Sequence, residues 1–146
     1  YMLNKSTINT EEILKLTNLA DNFSATELVD NSLAKNKKKT INILNENNFS
    51  DEDCIIILRV CLSKLKRLLK LQEGLKSNKN SDTVISSFRP PIFWKDKEII
   101  KKQINNQNHM TVKNLINKTN ETELLIKKYP QSSINIMTNF ILEMVI

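Results

Sequence analysis

The chain has 146 residues, one glycine (Gly74) and three prolines, none before Pro90. One glycine excludes a phosphate-cradling P-loop, which needs two, and a dinucleotide fingerprint, which needs three; it also argues against a sheet built from tight hairpins. Twenty-two Lys and Arg against sixteen Asp and Glu give a net charge of +6, which permits anionic partners without establishing them.

Nineteen of the 22 cations are Lys, beside 20 Asn and 18 Ile. An AT-rich coding sequence yields that trio, so coding bias accounts for much of the charge. The length suits one domain, with room for a short appendage. No apolar run approaches the 18 or so residues of a membrane span.

The elements follow in chain order. A short helix is expected from Thr10 to Asn18, with Glu11 and Glu12 at its positive end. Ser24 and Glu27 have capping-box spacing, with Phe23 and Leu28 as the hydrophobic staple. That predicts a helix from Ala25 to Ala34, and a third follows from Lys37 to Asn47. Ser50 and Asp53 repeat the capping box, with Phe49 and Cys54 as staple. They open the longest helix, Asp51 to Glu73 or beyond, whose Ile55, Leu58, Leu62, Leu65 and Leu69 keep helical spacing. Gly74 is expected to be its C-terminal cap.

Asp82 or Ser81 would cap a short helix through Val84, Ile85 and Phe88. Arg89, Pro90 and Pro91 force an extended or turning backbone. Helices are then expected at Ile92 to Ile104, His109 to Lys128, and Ser132 to Val145. Glu123 and Lys127 form an i,i+4 pair in the favourable order. The fold class is all-α: six or seven helices in a compact antiparallel bundle.

Residues that could carry chemistry are few. Cys54 and Cys61 lie about 10 Å apart along one helix, too far for a disulfide, and on its apolar stripe, where burial raises a thiol pKa. His109 is the single histidine and is expected to be solvated; no metal or cofactor site is expected. The carboxylate sets Glu11/Glu12, Asp51/Glu52/Asp53 and Glu121/Glu123 are explained by helix starts and ion pairing. Lys64, Lys66, Arg67 and Lys70 read as a solvated face, with a nucleic-acid stripe as the competing reading. Arg89 to Trp94 reads as a rigid corner that buries two aromatics, and it is the least generic stretch of the chain.

That stretch resembles a known family. Arg89-Pro-Pro-Ile-Phe-Trp-Lys95, then Gln103, then Glu123 to Lys127, looks like the C-terminal helical domain of the delta subunit of the bacterial DNA polymerase III clamp loader. Phe23 to Leu33, with Asp30 and Leu33 in register, also resembles that domain. Ile8 to Ile13 resembles the segment closing the preceding domain. Asn106 or Gln107 stands where the family commonly has Trp.

The resemblance implies a fragment of a longer subunit. Residues 1–20 would end an AAA+ lid-like domain, Tyr1 being internal, and 21–146 would form the collar domain. The collar would pack against the other clamp-loader subunits and hold no cofactor. The subunit would not hydrolyse ATP, although its parent assembly serves a DNA polymerase. The sliding clamp would be met through a missing N-terminal domain, DNA only indirectly, and no membrane. The location implied is the replisome of the bacterial cytoplasm. The apolar last helix and the aromatic corner are the expected subunit contacts, through Phe93, Trp94, Ile136, Phe140 and Met144. The alternative function is a helical nucleic-acid-binding module.

Overall fold

A computed structural model describes residues 24–77 and 80–146. Seven α-helices and no strand occur among them. They are α1 (24–33), α2 (Lys37–Glu46), α3 (Asp51–Leu75), α4 (Ser81–Ser87), α5 (Lys97–Asn106), α6 (His109–Lys128) and α7 (Ser133–Val145). Single 3-10 turns at Trp94–Asp96 and Pro130–Ser132 lead into α5 and α7. The all-α bundle expected from periodicity is present. The helix expected at Thr10 to Asn18, the lid-like segment 1–20 and the staple residue Phe23 lie outside the described residues.

The long helix α3 is the spine, packing against α4, α5, α6 and α7. Its buried stripe of Cys54, Ile57, Leu58, Cys61, Leu65 and Leu68 meets Leu28 and Val29 of α1, Val112 and Ile126 of α6, and Met137 and Ile141 of α7. A second, smaller core gathers Leu71, Val84, Ile85 and Ile100, with Phe88 and Ile92 against it.

Local signals explain most helix starts. Ser50 Oγ accepts from the Asp53 amide at 3.2 Å, and the Asp53 carboxylate accepts from the Ser50 amide at 2.8 Å. Both partners of the capping box are therefore satisfied. Asn36, Asn80 and Asn108 cap α2, α4 and α6 through their side-chain oxygens. Asn80 takes the role expected of Ser81 or Asp82 because its oxygen receives the Thr83 amide at 2.7 Å. The helix expected from Ile92 starts later, because the backbone stays extended as far as Phe93.

Two local expectations are corrected. Ser24 is already helical, and its hydroxyl donates to Asn47 Oδ1 at 3.2 Å; Glu27 pairs with Lys39 at 3.5 Å instead of closing a capping box. Gly74 is not a cap. It lies inside α3, without a positive φ. A Cβ there would come within 3.0 Å of Val84 Cγ1, so the missing side chain lets α4 approach α3.

The one left-handed residue among those described is Lys35, with φ 57°. It closes α1 in a Schellman arrangement. The Lys35 amide donates to the Ser32 carbonyl at 3.1 Å and the Asn36 amide to the Asn31 carbonyl at 2.9 Å. Amide side chains from the end of α5 secure the same terminus. Gln103 Nε2 donates to the Asp30 carbonyl at 3.0 Å, Asn106 Nδ2 to Ala34 at 2.8 Å and Gln107 Nε2 to Leu33 at 3.0 Å. Gln107 thus works by hydrogen bonding while fully buried.

Candidate functional site: an exposed aromatic corner

The corner begins where α4 ends. Phe88 takes an extended conformation beyond that helix, as a chain approaching two prolines does. Arg89, Pro90 and Pro91 are exposed, and Arg89 reaches the Phe88 carbonyl at 3.4 Å. Ile92 turns inward onto the smaller core. Phe93 and Trp94 face the other way, 57% and 68% exposed. Their rings lie 5.9 Å apart at 49°. The Lys95 ammonium stands over both, 5.9 Å from the Phe93 ring and 5.5 Å from the Trp94 ring. The expectation that the corner buries two aromatics is overturned. Ile92 provides the anchor, so the pair is held on a fixed backbone and left in solvent.

The last helix behaves in the opposite way. Phe140 and Met144, expected at a subunit contact, are 3% and 5% exposed and belong to the chain's own core. Their correction has a simple cause: α7 packs against α2, α3 and α6, which uses up its apolar face. Ile136 is half-buried and lines the groove between α6 and α7. Asn135, Asn139 and Glu143 give α7 a polar outer side, and Glu143 pairs with Lys118 of α6.

The other candidates separate from one another. Burial pushes the Cys61 thiol up to about 12, against a hydrogen bond with Thr119 that lowers it. Burial, then the charges of Asp51 and Asp53, push Cys54 up to about 11. Both thiols are protonated near neutral pH. His109 is half-buried rather than solvated, with Nε2 3.9 Å from Glu73 Oε1. No group of three or more potential metal ligands occurs among the described residues, and no helix there is long and apolar enough to cross a membrane.

The basic stripe is not a uniform solvated face. Lys66 and Lys70 are exposed, but Lys64 turns inward to Asp30 at 2.9 Å, both side chains nearly buried. Glu123 makes the expected pair with Lys127 at 3.8 Å and a second with Arg59 of α3 at 3.4 Å. Sequence spacing revealed the first pair; the second joins residues 64 positions apart and left no local signal.

Beside the corner runs a cleft between α1 and the start of α5. Its larger part, about 560 Å³, is lined by Lys35, Lys39, Lys95 and Lys102 together with Glu98. Its smaller part, about 270 Å³, adds Glu27, Asp30 and Asp96. Sequence reasoning missed this cleft, because its walls lie about 70 residues apart in the chain. Comparison of the chain with protein-family models, curated proteins and solved structures returns no match.

Proposed function

We propose that this chain is a non-catalytic assembly module, the helical collar domain of a clamp-loader delta subunit that supports loading of the sliding clamp onto DNA at the bacterial replisome. One observation carries the reading. The least generic stretch of the sequence, Arg89 to Lys95, presents two adjacent aromatics to solvent on a backbone anchored by Ile92. Exposed Trp and Phe on a rigid frame are what protein–protein hot spots are built from. The surrounding scaffold is packed helix with its thiols buried and protonated, which suits a part that holds neighbours in place.

The test uses the full-length subunit and its partner loader subunits. Phe93→Ser/Trp94→Ser is expected to lose incorporation into the loader on size exclusion while its thermal midpoint stays unchanged. Incorporation at the wild-type level would overturn the reading.

A second reading, a helical nucleic-acid-binding module, is favoured by the ring pair beneath Lys95, since bases stack on aromatics flanked by cations. It requires affinity for single-stranded DNA that falls steeply with salt. Fluorescence anisotropy at two salt concentrations decides it, and absent or salt-independent binding removes it.

A further inference from the structure

We infer that the cleft between α1 and the start of α5 receives a helix of a neighbouring protein subunit carrying charges of both signs. This rests on the assembly reading above and assigns a second contact, distinct from the aromatic corner and continuous with it through Lys95.

The walls are two helical faces. On α1, Glu27, Asp30, Asn31 and Ala34 recur at three- and four-residue spacing, so they share one face. On the other wall, Lys95, Ile99 and Lys102 do the same. The stretch from Glu27 to Ala34 is about 10 Å long, enough for two turns of a docked helix. Ile99 lines both parts of the cleft and supplies an apolar strip between them.

Both signs line this groove with opposite excess at its two parts: four lysines beside Glu98 in the larger, three carboxylates beside Lys39 and Lys95 in the smaller. Lys35 and Lys102 mark the basic end, and neither they nor Lys95 has a carboxylate partner among the described residues. Glu27, Asp30 and Asp96 mark the other end. Glu27 is engaged by Lys39 and Asp30 by Lys64, which leaves Asp96 as the carboxylate there without an ion-pair partner among the described residues.

A run of phosphates laid along this groove would meet Glu98, Asp96 and Glu27 in turn. Such like-charge encounters exclude wrong partners. A helix with a carboxylate toward Lys35 and Lys102 and a cation toward Asp96 meets opposite charges at both ends. Its neighbouring turn then reaches Phe93 and Trp94, which flank the groove beside Lys95.

The experiment compares two charge reversals of equal size in the full-length subunit. Lys35→Glu/Lys102→Glu alters the basic end. Lys66→Glu/Lys70→Glu alters exposed positions on α3. Stopped-flow association with the partner loader subunits is measured at about 50 mM and about 0.5 M salt, where screening differs, after circular dichroism confirms folding. The cleft variant is expected to associate about tenfold more slowly at low salt, with the gap closing at high salt. The α3 variant should match the wild type. If the wild type associates and the cleft variant keeps pace with it, the inference falls and the assembly reading stands. If the wild type does not associate, both fall. A single-stranded oligo(dT) probe that binds the wild type and is lost with Lys35→Glu/Lys102→Glu would assign the cleft to nucleic acid and overturn the inference.

Discussion

The last helix and the aromatic corner are both rich in apolar side chains, and the fold treats them in opposite ways. Helix α7 carries Met137, Phe140, Ile141 and Met144, and all four are buried in the chain's own core. The corner carries two aromatics and exposes both. Apolar density along a helix therefore says little about partners, because neighbouring helices can absorb a full stripe. Neither of the two adjacent aromatics after the pair of prolines turns inward. On the extended backbone Phe93 faces opposite to the inward Ile92, and the 3-10 turn that opens at Trp94 breaks the alternation that would return Trp94 to the inner side.

The sharpest way to break this contrast is to put polar side chains in each place. Phe140→Glu buries a carboxylate without a partner and is expected to cost more than about 4 kcal/mol, enough to unfold the domain. Urea denaturation would show it. Phe93→Ser/Trp94→Ser, by the same measurement, is expected to stay within about 0.5 kcal/mol per site, as exposed positions do. A folded Phe140→Glu variant would mean that α7 is not part of the core.

A smaller effect separates the two regions internally. Lys64→Met leaves the Asp30 carboxylate buried without its ammonium partner, at an expected cost of about 3 kcal/mol. Asp30 also receives Gln103 Nε2 at 3.2 Å, so the loss falls on the seam between α1 and α5 that supports the corner. Hydrogen exchange is expected to rise first in α1 and α5, while α3, α6 and α7 keep their protection. Uniform loss would make the molecule a single cooperative unit.

Alkaline pH tests the region around α7 by another route. The Cys61 thiol rises from 9.0 to about 12 on folding, because burial disfavours the thiolate. A raised folded value means that the stabilisation is fully present below pH 9 and is lost as pH climbs through about 12. Cys61→Ala is expected to flatten the decline of unfolding free energy across that window. An unchanged slope would assign alkaline unfolding to other groups.

The smallest change is a gain. Lys35 holds a left-handed conformation that costs an L-residue about 1 kcal/mol. Lys35→Gly is expected to raise stability by about 0.5 kcal/mol once the added freedom of the unfolded chain is subtracted, read as a higher urea midpoint.

Most of the helices were legible in the sequence. The boundaries of α3 and α6 follow from 3.6-residue periodicity and, for α3, from the Ser50–Asp53 box. What escaped depends on residues distant in the chain. The clamps from Gln103, Asn106 and Gln107 onto α1 span 72 to 74 positions. Nothing local distinguishes these amides from the other Asn and Gln of an Asn-rich chain. Trp94 was visible as a residue of interest, but its exposure was not, because its environment depends on which neighbour fills the inner position. The cleft was invisible for the same reason: its two walls come from the first and fifth described helices.

The absent side chain at residue 74 acts as a shim between two beams. Val84 lies where a methyl group at 74 would intrude, and α4 leads directly into Phe88 and the prolines. Gly74→Ala would favour the helical conformation of α3 by up to about 1 kcal/mol while pressing α4 outward by a few tenths of an ångström. The tilt would pass along the stiff Pro90–Pro91 link to the rings of Phe93 and Trp94. A half-buried position beside the smaller core would then set the aim of the aromatic pair without touching any partner.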